Sequence, residues 1–227
     1  SQLTLTPAEN WYGTVNITIT VSDGFLTDDT TFVLTVNPVN DAPEITGQIA
    51  LTTQEDIPLE ISLSDLEVTD VDNNYSDGFS LTVLSGENYT FDGTTITSVL
   101  NYNGDLTVLI NVDDGEDENS QSDIFNLSVT VNPVNDAPIA EDDAFVMDED
   151  TELTGNVLLN DSDIEGNTLT FELISAVSHG DLLYDSLGVF TYTPDQDYSG
   201  SDYFLYKVND DSLSSDVVAT VTITINP

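Results

Sequence analysis

The sequence predicts an all-β protein built from tandem antiparallel β-sandwiches. Residues 15–21 and 217–225 alternate apolar side chains with Thr or Asn, and a period of two is typical of half-buried antiparallel strands. The octapeptide Val-Asn-Pro-Val-Asn-Asp-Ala-Pro occurs at residues 36–43 and returns unchanged at residues 131–138. Several short strands per repeat, separated by Gly, Asn and Asp turns, favour one β-sandwich in each repeat.

The repeats set the expected domain boundaries. We expect two complete sandwiches, at residues 42–137 and 138–227, preceded by a partial unit at residues 1–41. The partial unit holds only the last strands of a repeat, which are too few to bury both faces of a sandwich. We interpret it as the C-terminal part of a repeat in a longer protein. The alternative is that another polypeptide supplies the missing strands.

A shorter pattern places one acidic residue at the end of a strand in each repeat. An aromatic residue, any residue and a glycine are followed, ten residues after the glycine, by Asp23, Asp114 and Asp210. The strand-like runs that these residues close are 15–21, 106–112 and 203–208. The pattern therefore predicts an equivalent carboxylate at the same place in all three repeats.

The charge of the chain is almost entirely of one sign. It has 43 Asp and Glu residues against one Lys, for a net charge of −42. This balance excludes binding to nucleic acid or to anionic lipid, because both require Lys and Arg. Carboxylates that repel one another also destabilise a compact state, so divalent cations or high salt must offset them. Cysteine is absent, and no apolar run is long enough to insert into a membrane.

Acidic and amide residues recur in register and predict calcium binding. Pairs of aspartates separated by one residue occur at Asp70 and Asp72 and again at Asp161 and Asp163, and an Asn-Asp pair begins at Asn40 and at residue 135. Such a pair in a tight loop directs two carboxylates to one point, and a neighbouring Asn adds a neutral oxygen. Calcium takes six to eight oxygen ligands of these kinds. A single Asp is more simply a turn former, but repeated positions favour Ca²⁺.

These motifs resemble those of a known family. The Val-Asn-Asp-Ala-Pro segments at 39–43 and 134–138, the Asp-x-Asp pairs and the Val-x-Asp strand ends resemble the tandem cadherin-like and bacterial Ig-like repeats of giant secreted or surface-anchored bacterial proteins, including adhesins. Residues 138–227 match most fully, with Leu-Asn-Asp-Ser-Asp-Ile-Glu-Gly at 159–166. The resemblance implies Ig-like or cadherin-like sandwiches in a linear array, outside the cell.

The resemblance also implies a set of calcium ligands at each junction between repeats. At the first junction, these would be Asn40, Asp41, Asp70, Asp72 and Asp114. At the second junction, they would be Glu55, Asn135, Asp136, Asp161, Asp163 and Asp210. Asp23 and Glu149 would face junctions outside this chain. The linker reads Asn-Asp-Ala-Pro, whereas cadherins have Asn-Asp-Asn-x-Pro, and the cadherin Asp-Arg-Glu motif is missing, so we expect fewer ions per junction.

The expected function is structural. We expect calcium-rigidified extender repeats of a long extracellular adhesin-like protein, with neighbouring repeats of the same chain as partners and no enzymatic activity, because no catalytic arrangement recurs. One alternative is a filament subunit in which residues 1–41 complete the sandwich of an identical subunit. Another is a module that binds surface polysaccharides through exposed aromatic rings at Trp11, Tyr12, Tyr75, Tyr102 and Tyr198. A last alternative is halophilic adaptation, in which acidity serves solvation alone.

Overall fold

The computed structural model describes residues 3–227, so the first two residues of the predicted segment 1–41 lie outside the described part. The described chain is all-β, as predicted, with 18 strands and two 3₁₀ turns of three residues, Leu63–Asp65 and Val157–Leu159. It divides into two compact units, one ending at Pro133 and the other running from Val134 to Pro227. Among the described residues, no helix is long and apolar enough to cross a membrane.

The first unit contains eleven strands. They are β1 (Gly13–Ser22), β2 (Thr27–Val36), β3 (Glu44–Gln48), β4 (Leu51–Gln54), β5 (Leu59–Glu60), β6 (Leu66–Thr69), β7 (Ser80–Val83), β8 (Tyr89–Asp92), β9 (Thr95–Ser98), β10 (Gly104–Asp113) and β11 (Phe125–Asn132). Strands β4-β11-β10-β7 form one sheet, opposed by β5-β9-β8 and by the pair β3-β6. Strands β1 and β2 form a separate hairpin.

The second unit contains seven strands and repeats this topology. They are β12 (Asp143–Asp148), β13 (Leu153–Asn156), β14 (Thr170–Ser175), β15 (Gly180–Tyr184), β16 (Val189–Pro194), β17 (Gly200–Asn209) and β18 (Ala219–Asn226). The sheet β12-β18-β17-β14 has the same order as β4-β11-β10-β7, and β13-β16-β15 matches β5-β9-β8. The alternating run at 217–225 begins its pairing only at Ala219, two residues later than predicted.

The long C-terminal hairpin of each complete repeat supplies the centre of the core. Every second residue of β10 and of β17 points inward, so that Val108, Ile110, Phe204 and Tyr206 are fully buried. The opposing sheet covers them with branched and aromatic side chains, such as Ile96 in the first unit and Phe190 in the second. This alternation is the period of two that the sequence shows.

The β1–β2 hairpin has the same register as the other two long hairpins but is not covered. Gly13 pairs with Val36 in it, as Gly104 pairs with Val131. Ile19 nevertheless remains 37% exposed, whereas its equivalent Ile110 is 0% exposed. Within the described residues, β1 and β2 pair only with each other. The apolar face of this hairpin and both of its edges are therefore open.

Candidate functional site

The linker that precedes the first complete sandwich is hydrogen-bonded to loops of that sandwich. The Asn40 side-chain amide donates to Asp114 Oδ2 over 2.8 Å, and Asp114 is only 5% exposed at the end of β10. The backbone N–H of Asp41 donates to Asp72 Oδ2, also over 2.8 Å. Four of the residues predicted for the first junction, Asn40, Asp41, Asp72 and Asp114, are thus joined in pairs.

The linker of the second unit makes the same two contacts. The Asn135 side-chain amide donates to Asp210 Oδ2 over 2.7 Å, and the backbone N–H of Asp136 donates to Glu165 Oε2 over 3.3 Å. Side-chain oxygens of Asp136 and Glu165 lie within 4.8 Å of each other. The Asn135 side-chain oxygen accepts a hydrogen bond from Asn167. The equivalent of Asp72 is therefore Glu165.

One carboxylate oxygen in each of these loops is buried without a hydrogen-bond partner. Asp70 Oδ1 accepts from the backbone N–H groups of Asp72 and Asn73 at 2.8 and 2.7 Å, and Asp163 Oδ1 accepts from the N–H of Asn167 at 2.8 Å. These bonds fix each side chain on its own loop, through an Asx turn in the case of Asp70. The second oxygen, Oδ2 of Asp70 and of Asp163, is buried and unpaired, so these two aspartates occupy equivalent positions.

This equivalence differs from the one that the sequence suggests. Residue type aligns Asp70 and Asp72 with Asp161 and Asp163, but the hydrogen bonds align them with Asp163 and Glu165. The carboxylate of Asp161 hydrogen-bonds elsewhere, to the backbone N–H of Glu141 and to the Tyr206 hydroxyl. The structure therefore places Asp161 with the core tyrosine, whereas Asp163 is connected to the linker through Asn167.

The Tyr206 hydroxyl has more acceptors around it than one proton can serve. Its oxygen lies 3.1 Å from Asp143 Oδ2 and 3.2 Å from both carboxylate oxygens of Asp161, and two backbone carbonyl oxygens also lie close by. Burial raises the pKa of Asp143 to about 6, and the negative charge of Asp161 adds to the rise while the hydroxyl opposes it. Burial likewise raises the pKa of Asp161.

The three strand-end aspartates share one local structure. Oδ1 of Asp23 accepts from the N–H groups of Phe25 and Leu26, which lower the pKa of Asp23. Oδ1 of Asp210 accepts in the same way, and the N–H of Leu213, then the Asn135 amide, lower its pKa. Each aspartate therefore caps its own turn through Oδ1. In Asp114 and Asp210, Oδ2 holds the linker asparagine.

Glu55 and Glu149 also occupy equivalent positions, directly after β4 and β12, the strands that pair in parallel with the last strand of each repeat. The backbone N–H of Glu55 donates to the carbonyl of Asn132, and that of Glu149 donates to the carbonyl of Asn226. Glu55 is 3% exposed and accepts a hydrogen bond from the Asn103 amide. Both glutamates thus lie beside the last residue of the final strand of a repeat, where the resemblance implies a ligand.

Most of the aromatic residues considered for polysaccharide binding are half-buried. The Tyr102 hydroxyl donates to the carbonyl of Asp105 and that of Tyr198 to Ser201, while Tyr75 packs edge-on against Phe79. Trp11 and Tyr12 are exposed and line a cavity of about 220 Å³ together with Pro38, Asp41 and Asp72. Only this aromatic pair remains accessible among the five candidates.

Three features of this region were missed by sequence reasoning. The acidic run 113–118 is typical of a solvated hairpin loop by its sequence, but the carbonyls of its last residue, Glu118, and of Asn119 accept hydrogen bonds from the Asn40 amide of the linker. Glu165 and Asn167 were not recognised as linker contacts. Their signal was the spacing from the linker motif, since Asp72 follows Asp41 by nearly the same number of residues as Glu165 follows Asp136.

Comparison with known proteins agrees with this architecture. Residues 135–227 match the family model of the bacterial cadherin-like domain. Human protocadherin-24 EC1-2 is 18% identical, with a TM-score of 0.54 over 82% of this chain and 99% of that one. Mouse protocadherin-24 EC1-3 is 15% identical, with a TM-score of 0.51 over 94% of this chain and 80% of that one. The fold is therefore cadherin-like.

Other comparisons carry less information. The chain spans 35% of the length of an endo-fucoidan hydrolase of glycoside hydrolase family 107, at 17% identity and a TM-score of 0.34, which is too low to establish a shared fold. No curated protein matches the chain.

The donor set of the cadherin-like loops suits calcium. A buried carboxylate oxygen without a partner is costly, and Asp70 Oδ2 and Asp163 Oδ2 are both of this kind. The carboxylates of Asp41 and Asp136 belong to residues whose backbone is fixed in the adjoining linker. Oxygen-only ligands on Asx turns are those that Ca²⁺ prefers. These residues fit a calcium ion better than a softer metal, which would favour His or Cys.

Proposed function

We propose that this chain consists of calcium-rigidified extender repeats of a long extracellular, adhesin-like surface or secreted protein of bacterial type, without enzymatic activity. The observation that carries the proposal is the buried, unpaired Oδ2 atom that recurs in Asp70 and Asp163. Each of these atoms lies in a loop that also contacts the linker before its repeat. A divalent cation at this position would satisfy the oxygen and connect loop and linker.

Calcium would act mechanically in this proposal. Without the ion, carboxylates of loop and linker repel one another, and the chain that precedes the Asn-Asp pair is left to move. With calcium, carboxylate oxygens of Asp41 and Asp70 would bind one ion in the first unit. Those of Asp136 and Asp163 would bind one ion in the second unit. The predicted base residues Glu55 and Glu149 and the strand-end Asp23 would serve the other sides of such junctions.

The test is a calcium titration of the demetallated chain at fixed ionic strength. We expect Ca²⁺ to raise the melting temperature by several degrees, because a ligand that binds only the folded state stabilises it by mass action. Mg²⁺ at the same concentration should act more weakly, since it demands a smaller octahedral shell. Asp70→Asn and Asp163→Asn should each weaken the Ca²⁺ response.

The matched control is Asp92→Asn, which makes the same change in charge at the exposed end of β8. It should leave the response to Ca²⁺ intact. A melting temperature that depends on ionic strength alone, with no added effect of Ca²⁺, would contradict the calcium proposal and favour the halophilic alternative.

Because the β1–β2 hairpin is uncovered, we infer that residues 1–41 form part of a larger sandwich. Its apolar residues stand at positions that are buried in both complete repeats. We favour covering by the N-terminal half of its own repeat in a longer polypeptide. The filament alternative, in which another copy supplies those strands, predicts concentration-dependent assembly of this chain in sedimentation, whereas a monomer at all concentrations would rule it out.

The polysaccharide alternative now depends on Trp11 and Tyr12. Both rings are accessible and line the same cavity, and flat aromatic faces suit sugar rings. The alternative predicts that soluble acidic or neutral polysaccharide quenches the fluorescence of Trp11 and that Tyr12→Ala abolishes the quenching. Unchanged fluorescence across a panel of bacterial surface polysaccharides would exclude it.

A further inference from the structure

The linker asparagine of each unit is held by hydrogen bonds that require no metal ion. The amide group is the donor in both cases, and the acceptor is the Oδ2 atom of the strand-end aspartate, at 2.8 Å for Asn40 and Asp114 and 2.7 Å for Asn135 and Asp210. A hydrogen bond from an amide to an ionised carboxylate is charge-assisted and stronger than a neutral one. The same contact between a linker asparagine and a strand-end aspartate is therefore present in both units.

Further bonds hold the chain on both sides of Asn40. Its carbonyl oxygen accepts from the Asn119 side-chain amide over 3.1 Å, and its own amide also reaches the carbonyls of Glu118 and Asn119. The next backbone N–H, that of Asp41, donates to Asp72. Backbone and side chain are therefore both attached to the sandwich that follows.

The attachment ends abruptly toward the N-terminus. In the part of the chain that the structure describes, the hydrogen bonds include none from residues 37–39 to the sandwich, and Pro38 has no backbone N–H to donate. In the second unit, Asn135 belongs to the compact unit that begins at Val134.

We propose that Asn40 and Asn135 are positioning residues that fasten each linker to the sandwich after it, with or without calcium. The hinge at the first linker is then confined to residues 37–39, and the Asn-Asp pair moves with the following sandwich as one body. One half of each cation site is consequently assembled before any ion binds. This inference goes beyond the calcium proposal and stands if calcium binding fails, because no metal takes part in it.

The proposal is tested on the full chain in a chelating buffer, by amide hydrogen exchange resolved by NMR. We expect the N–H of Asp41 to exchange at least tenfold more slowly than that of Val39, because only the former is hydrogen-bonded. Asn40→Asp replaces the donor by a carboxylate facing Asp114 and should remove about tenfold of this protection. The N–H of Asp136 should be unaffected.

The matched control is Asn37→Asp, which adds the same charge three residues earlier in the same linker. It should leave the protection of Asp41 unchanged. Protected amides in β10 and β11 verify that Asn40→Asp remains folded; should it unfold, Asn135→Asp gives the same test in the second unit, read at Asp136. Equal exchange of Asp41 and Val39 in the metal-free wild type, or equal loss of protection in Asn37→Asp and Asn40→Asp, would overturn the proposal.

Discussion

Asp143 and Asp161 approach the same tyrosine hydroxyl, and this arrangement makes part of the second unit sensitive to pH. The raised pKa of Asp143, about 6, exceeds the value of 3.8 that it has when unfolded. Below pH 3.8 both states hold the proton. Between the two values the unfolded state releases it first, so the stabilising contribution is present in acid and is lost as the pH rises through 6.

Asp143→Asn should therefore stabilise the second unit at pH 7, by about 1 kcal/mol after allowance for partial solvent access. The asparagine oxygen can still accept from Tyr206 and carries no charge. Exchange protection of the amides in β17 and β18 is the measurement, and the advantage should vanish near pH 4. Asp181→Asn, an exposed control, should change the exchange protection of these amides neither at pH 7 nor near pH 4. A loss of stability at pH 7 in Asp143→Asn would show that the carboxylate is needed there.

Asp202 is a buried carboxylate with the opposite behaviour. It is 1% exposed and accepts hydrogen bonds from the N–H groups of Ser178, His179 and Tyr203 and from the Tyr192 hydroxyl. Burial alone would raise its pKa, but these donors outweigh burial and lower it. The contribution of Asp202 to the free energy of unfolding is thus present when the pH is above the ordinary pKa of an aspartate. It is lost as the pH falls through the lowered pKa of the folded state.

Asp202→Asn should destabilise the second unit by about 2 kcal/mol at pH 7, because at least one backbone donor loses a charged acceptor. The variant should also lack the part of the acid-induced loss of stability that the wild type shows below about pH 4. Chemical denaturation followed by the near-ultraviolet signal of the tyrosines measures both effects. Asp195→Asn, an exposed neighbour, should behave as wild type, and an unaltered Asp202→Asn would show that the bonds contribute no net stability.

At the scale of elements, the long hairpins share one register and differ in what covers them. The sequence predicts this well, because the octapeptide, the glycine before each hairpin and the aspartate after it mark equivalent positions. It does not predict that Asp202 replaces the buried Leu106, although its phase in the strand indicates an inward position. Alternation reveals which face a residue occupies, and only the surrounding loops reveal whether a carboxylate there has donors.

The misaligned acidic pair has a related cause. Asp161 and Asp163 match Asp70 and Asp72 by residue type, but the position of a loop is set by the strands that flank it. Glu165 contacts the linker directly, and Asp163 is connected to it through Asn167, whose N–H donates to Asp163 and whose side-chain amide donates to Asn135. Residue type alone could not decide this, because Asp161 and Asp163 both belong to an acidic pair. The direction of the Asp161 side chain depends on its hydrogen bond with the hydroxyl of Tyr206, a residue that is distant in sequence.

Ile19 and Ile110 offer a direct comparison between an open and a covered hairpin. Ile110→Ala should cost about 3–4 kcal/mol, since it opens a cavity in a closed core. Ile19→Ala should cost below about 1 kcal/mol, because the side chain is 37% exposed. Amide hydrogen exchange of each hairpin during denaturation measures the two losses of stability. Comparable costs would show that another chain covers the first hairpin in solution.

At the scale of the molecule, the charge of −42 is distributed among separate tasks. Some carboxylates cap turns, as Asp23 does; some hold linkers, as Asp114 and Asp210 do; and Asp70 and Asp163 keep an oxygen unpaired. Glu55 and Asp202 are buried and hydrogen-bonded, and many of the other carboxylates are exposed. Because the carboxylates outnumber cations so heavily, we expect the chain to be most stable where counterions are plentiful.

The parallel pairing of a strand near the start of each complete repeat with the last strand of that repeat has a consequence under tension. Strands β4 and β11 pair over four residues, and β12 and β18 over six. Because a parallel pair lies side by side with both strands running the same way, pulling the two ends of a repeat apart slides one strand along the other. All the bonds between them then bear load together rather than breaking one after another.

A hairpin such as β1–β2, pulled at its two ends, would instead open one bond at a time. We expect the repeat at residues 138–227 to rupture at a higher force than the repeat at 42–137, since it has the longer parallel pair. Single-molecule stretching of the full chain would measure this, and equal rupture forces would contradict it. Each cadherin-like repeat thus carries its own shear clamp, β4–β11 in one and β12–β18 in the other, which resists extension without any ion.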